Sequence, residues 1–211
     1  YDWRGYVPFA ELPHMFNPPQ EFVVSANNKT TGNNYPYHIG TWYSLPGRFE
    51  RITELLSAKE KLSMADFQEI QLDQYSKMAE NYMPALLKAI QNESGFNDVQ
   101  KKAATELRNW DFVMNADAAA PLIFESIYLQ VFYNLYADEM GEDLAAKFIG
   151  NSSVSRISTD QIWLSGASKW ADNIKTTDNT ETFADILLKS FLEVTDTLSK
   201  ELGTDVSLWQ W

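Results

Sequence analysis

The sequence contains no cysteine, which excludes disulfides, a thiolate nucleophile and a zinc site built on sulfur. Histidine is nearly as scarce. Only His14 and His38 occur, too far apart in sequence to form a ligand pair on one helix or turn, so a histidine-based metal centre is not expected. No cofactor is called for either. Long apolar runs are missing as well. The stretch from Leu122 to Met140 comes nearest, but Glu125, Gln130, Asn134 and Asp138 interrupt it, so it reads as a buried helix and not a membrane span. Positive charge is in short supply, with 17 Lys and Arg against 29 Asp and Glu and a net charge of -12. Such a surface repels phosphate backbones and anionic lipid, which argues against nucleic acid or a membrane surface as partner.

Apolar residues are not lacking. They make up 45% of the 211 positions, and aromatics alone 14%, so a packed core is expected rather than disorder. Residues 1–45 are rich in Pro, Gly, Asn and aromatics, and Pro8, Pro13, Pro18, Pro19 and Pro36 break helices there. That segment reads as loops with one strand, Glu21 to Asn27, where Phe22-Val23-Val24 favours extended backbone after a proline pair.

From residue 46 to 211 the period is helical. Phe49, Ile52, Leu55 and Leu56 share a face after Pro46, and Ser63 followed by Asp66 resembles a capping box. A helix from Lys77 to Ile90 contains Pro84, where it is expected to kink or restart. Val99, Ala103, Leu107 and Trp110 recur at helical spacing. Pro121 to Met140 is apolar around so much of its circumference that it belongs at the centre of the helical part. Gly141 is a natural stop before a short helix through Leu144 and Phe148. The polar, Ser-rich run Asn151 to Asp160 reads as a loop or boundary, and a last long helix spans Glu181 to Leu202. The fold class is mainly α, with a short loop and β segment at the front.

Few residues suit catalysis. Asp2, Glu11 and the pair Glu50 and Glu54 invite comparison with paired-carboxylate chemistry, but two Glu four apart on a helix mark a solvated face. Asn27 offers a neutral amide donor, although an Asn pair such as Asn27-Asn28 is also ordinary turn material. On the helical wheel Arg48 falls between Leu55 and Ile52, with Arg51 just past the apolar edge, so periodicity nominates Arg48 as the more buried cation.

The order of motifs adds to this. Leu12-Pro13, Asn17-Pro18-Pro19, the step Phe22-Val23-Val24-Ser25-Ala26 into Asn27-Asn28, and Arg48 followed by Arg51-Ile52 run as in the penicillin amidase (penicillin acylase) family of N-terminal-nucleophile hydrolases, which the chain resembles. Trp110-Asp111, Asp117 to Phe124, Asp138 to Gly141 and Leu208 to Trp211 continue the likeness. The resemblance implies a linear amide of an N-acyl substrate, cleaved through an acyl-enzyme. It implies Asn27 as an oxyanion donor and Arg51 as a residue steadying the site, with Arg48 as a supporting or salt-bridge candidate. It also implies that residues 1–45 belong to an α+β hydrolase core. The family's nucleophile is a Ser whose freed α-amine acts as base; this sequence opens on Tyr1, so it is expected to be an internal piece of a β subunit, inactive alone. The expected partners are the remainder of the same precursor, meaning the α subunit and the rest of the β subunit, and a periplasmic or extracellular location follows from the family. Tyr37, His38 and Ile39 follow Tyr35-Pro36 where some members place a calcium-binding carboxylate, so that ion is not expected there. The alternative is a non-catalytic helical binding or scaffold domain.

Overall fold

A computed structural model describes residues 5–211, apart from the side chains of Ser152 and Ser153. Tyr1 and Asp2 lie outside the described residues. The chain forms two compact units, Tyr1–Asp73 and Gln74–Trp211.

In the first unit the backbone wanders without a sheet until α1 (Gly47–Ser57) and α2 (Met64–Gln71). The strand expected at Glu21 to Asn27 does not form. Glu21 and Asn27 both take left-handed φ, 63° and 59°, so the β-favouring residues are bracketed by conformations that a ladder does not accept. Asn27 O accepts Ser44 N–H at 2.7 Å, and no neighbouring strand among the described residues adds to that bond. The capping box at α2 is present: Asp66 N–H donates to Ser63 Oγ, and Ser63 N–H donates back to Asp66 Oδ2 at 2.6 Å.

The second unit is built from α3 (Lys77–Ala89), α4 (Asp98–Asn109), α5 (Ala119–Met140), α6 (Glu142–Gly150), α7 (Ser152–Ser165) and α8 (Phe183–Leu202). Helix α3 runs through Pro84 as one element. Helix α5 is the axis, packed against α8, α6 and α4. Its Ile123, Phe124, Ile127, Tyr128, Val131, Phe132 and Leu135 are each at most 1% exposed. These positions form one broad face, wider than a single stripe, which lets the helix pack against three neighbours at once. Helix α8 is amphipathic, burying Phe183, Ile186, Leu187, Phe191, Val194 and Leu198 along one stripe. Gly141 and Gly203, at φ 74° and 89°, end α5 and α8 in conformations that a Cβ would oppose.

The run Asn151 to Asp160 proves helical, as the first part of α7. Three of its polar residues, Ser155, Thr159 and Asp160, are buried and bonded. Thr159 pairs with the Tyr136 hydroxyl at 3.2 Å, Ser155 Oγ donates to Asn151 O at 3.2 Å, and Asp160 accepts from two tyrosines. Ile162 and Trp163 complete the buried face one turn later.

Helix α8 opens on a second capping box. Asp185 N–H donates to Thr182 Oγ1, and Thr182 N–H donates to Asp185 Oδ2 at 2.8 Å. Because two orphan amides are satisfied at once, Thr182→Ala is expected to cost about 1 kcal/mol. Urea unfolding should show a lower midpoint with an unchanged slope.

Candidate functional site

Within the first unit one polar constellation stands out, at the junction of the loop segment and α1. Ala26 is buried at 5% exposure and Asn27 follows it, exposed, at the left-handed turn. The turn itself is made by Asn28, whose Oδ1 accepts Ala26 N–H at 3.0 Å and whose Nδ2 donates to Lys29 O at 3.1 Å. Asn27 is therefore spared the local bonding that turn asparagines usually perform.

Its amide is oriented from α1. Arg48 Nη2 donates to Asn27 Oδ1 at 2.9 Å and to Ala26 O at 3.0 Å. A guanidinium has only donors, so it selects the oxygen side of the amide and leaves Asn27 Nδ2 on the other side, with two N–H groups and no acceptor among the described residues. That is the geometry of a preset hydrogen-bond donor.

Arg51, one turn further along α1, faces a different partner. Its Nε and Nη2 donate to the two carboxylate oxygens of Asp73 at 2.9 and 2.7 Å, and Nη1 lies 3.5 Å from Glu54. The hydrogen bond to Asp73 holds the guanidinium well above its ordinary pKa, with burial opposing. The pairing is a fork on a carboxylate, the strong bidentate form. The wheel's ranking of the two arginines is inverted: Arg48 is exposed, and Arg51 is part-buried at 27% side-chain exposure. No residue of α1 is fully buried, so its apolar edge does not set which cation is covered. The Asp73 pairing does. Asp73 lies 22 residues away, and no periodicity in the sequence could have linked it to Arg51.

The profile of the penicillin amidase family matches residues 1–211, the whole sequence. The chain belongs to the penicillin amidase family. An acyl-homoserine lactone acylase QuiP of Pseudomonas syringae pv. tomato is 25% identical over all of this chain, which covers 27% of that protein. The QuiP acylase of Pseudomonas aeruginosa is 24% identical over the same span and is covered to 26%. A penicillin acylase 2 proenzyme of a Pseudomonas species is 33% identical over 36% of this chain and 10% of its own length. The chain thus spans about a quarter of the length of the full-span relatives it matches.

Other residues of the stretches that carry the resemblance do structural work in this chain. Trp110 Nε1 donates to Val113 O at 2.8 Å, Asp111 Oδ1 accepts Val113 N–H at 3.0 Å, and Trp209 is fully buried with Nε1 on Gly203 O at 2.9 Å. Glu11 accepts the Tyr37 hydroxyl, and Glu54 belongs to the Arg51 pair. Among the described residues no group of three or more His, Asp or Glu side chains could hold a metal ion. No described helix is long and apolar enough to cross a membrane.

Proposed function

We propose that this chain is the segment of a penicillin amidase-like hydrolase that supplies an oxyanion donor, in an enzyme that cleaves the linear amide of an N-acyl substrate. The observation that carries the reading is Asn27, whose amide oxygen is engaged by Arg48 and whose Nδ2 is left unpartnered. As a nucleophile adds to the amide carbon, the carbonyl oxygen becomes an alkoxide, and a fixed neutral donor stabilises that charge without a proton to lose. The nucleophilic Ser and its α-amine come from outside these 211 residues. Arg51 supports the site through α1: its fork on Asp73 holds the helix whose preceding turn presents Arg48 to Asn27.

The apolar side chains of the first unit support the partner half of the proposal. Phe9 and Phe16 are 90% and 85% exposed, far more than large aromatics tolerate in a finished core. The remainder of the precursor, α subunit and rest of β subunit, is what covers them. The names of the relatives favour an acyl-homoserine lactone or a penicillin as the N-acyl amide, and export to the periplasm or cell exterior belongs to the same reading.

The test is turnover. The full-length, processed protein is expected to release homoserine lactone from an N-acyl-homoserine lactone, or the β-lactam nucleus from a penicillin, with a transient acyl adduct seen by mass spectrometry on the new N-terminal residue. The isolated 211-residue chain is expected to show neither. Hydrolysis by the isolated chain that survives a second purification would overturn the external nucleophile.

A further inference from the structure

The core of the second unit holds a carboxyl group between two phenols and an indole. The Tyr82 hydroxyl on α3 and the Tyr128 hydroxyl on α5 both donate to Asp160 Oδ1 on α7, the latter at 3.2 Å. Asp160 Oδ2 is buried and accepts no hydrogen bond from the described residues. Trp163, one turn further along α7, stacks on Tyr82 with ring centroids 4.8 Å apart and planes 19° from parallel. Its Nε1 donates to the Tyr82 backbone carbonyl at 3.1 Å. All four side chains are buried.

Apart from thiols, Trp and Tyr are the side chains that give up one electron most readily, and this chain has no cysteine. The placement of the four groups decides where an electron hole comes to rest. A radical cation on Trp163 keeps its N–H proton, because a backbone carbonyl accepts a hydrogen bond but is not a base. It therefore stays strongly oxidising, with the Tyr82 ring stacked on it. Tyr82 has what the indole lacks, a carboxylate at its donor group. Loss of an electron to Trp163 and of the phenolic proton to Asp160 Oδ1 leaves a neutral indole, a neutral phenoxyl radical and a neutral carboxylic acid. Two buried charges, the radical cation and the carboxylate, disappear together, which an interior poor in water favours. Tyr128 is the poorer terminus. Its ring lies farther from Trp163, 5.6 Å away at 46°, and the Arg156 guanidinium carbon stands 5.7 Å from its centroid, where a cation opposes loss of an electron.

We propose that Trp163, Tyr82 and Asp160 form a sink for oxidising radicals, in which Tyr82 ends as the radical and Asp160 holds its proton. The oxidant is a one-electron radical in solution, such as azidyl, which takes the electron from Trp163 and becomes the anion. A one-electron reductant of the ascorbate class resets the sink: it returns an electron to Tyr82 while Asp160 returns the proton.

Pulse radiolysis of the intact protein with azidyl, above the pH range in which Asp160 holds its proton, follows both radicals by their absorption. Decay of the indole radical is expected to match growth of the phenoxyl radical, at a first-order rate that does not depend on protein concentration. Trp163→Phe and Tyr82→Phe are each expected to remove this phase, and Tyr128→Phe to keep it. Asp160→Asn still accepts the phenol's hydrogen bond but cannot take its proton, so the phase should slow by about tenfold or more, the effect of even a modest rise in barrier. Should Asp160→Asn fold poorly, heavy water applied to the wild type answers the same question, since a transfer coupled to the phenolic proton slows in it. A phase that survives Trp163→Phe or Tyr82→Phe, or that vanishes in Tyr128→Phe, overturns the relay. One that neither Asp160→Asn nor heavy water slows overturns Asp160 as the proton acceptor.

Discussion

In the processed full-length enzyme, Asn27→Ala is expected to lower kcat by about 10²- to 10³-fold, the usual loss for one oxyanion donor. The size follows from what the substitution removes. On the proposed reading it removes the donor Asn27 Nδ2, whose amide Arg48 holds by its oxygen so that no rotation is needed when charge develops. Folding should change little, because Asn27 is exposed and the turn is made by Asn28. Asn27→Asp sharpens the result: it keeps the shape and the contact to Arg48, replaces the N–H donor by an acceptor, and sets a negative charge beside the oxyanion. It should be at least as impaired as Asn27→Ala. Arg48→Lys is expected to fall between wild type and Asn27→Ala, since a point charge can reach Ala26 O or Asn27 Oδ1 but does not reproduce the planar donor. Self-cleavage must be confirmed by the mass of the new N-terminus before kcat is compared. Near-wild-type turnover in processed Asn27→Ala would return Asn27 to the status of a turn residue.

Legibility from sequence depended on whether a residue's role was local. The helices of the second unit were readable because burial repeats at their own period, as in α5 and α8, and because caps such as Thr182 with Asp185 are written within four residues. Asn151 to Asp160 resisted that reading for the opposite reason. Its Thr159 and Asp160 are bonded to Tyr82, Tyr128 and Tyr136 on α3 and α5, and composition does not reveal an inward-facing network across helices. The segment at 22–26 shows the same limit from the other side, since β-favouring residues make a strand only when a neighbour pairs with them. In the candidate site, Asn27 was reachable through its motif. Its orientation by Arg48 required coordinates, as did the Asp73 partner that draws Arg51 away from it. The wheel weighed Arg48 by the apolar face of α1, whereas its place is set by a carbonyl and an amide more than twenty residues upstream.

Asp160→Ala is expected to destabilise the helical unit by about 2–5 kcal/mol, a large part of the total for an ordinary domain. Asp160 is fully buried, and its Oδ1 accepts the hydroxyls of Tyr82 on α3 and Tyr128 on α5, the latter at 3.2 Å. Truncation leaves two buried hydroxyls without an acceptor, in a cluster where Tyr82 stacks on Trp163 with ring centroids 4.8 Å apart. Asp160→Asn should cost much less, because its oxygen still receives the tyrosines. The pH dependence separates the two effects. Burial raises the Asp160 pKa, and the tyrosine bonds and Arg156, whose guanidinium carbon lies 5.7 Å from the Tyr128 ring centroid, only partly offset it. The folded state therefore holds the Asp160 proton to higher pH than the unfolded chain does. This group's contribution is complete in acid and is lost as pH rises from the ordinary carboxylate range through the raised folded value. In Asp160→Asn that component of the slope should vanish, so the stability difference between wild type and Asn shifts in favour of Asn as pH increases. Urea unfolding at acid and neutral pH measures both quantities. A difference between the two proteins that stays constant with pH would mean Asp160 is not the titrating group, and equal losses for Ala and Asn would mean the tyrosine hydroxyls do not depend on its oxygen.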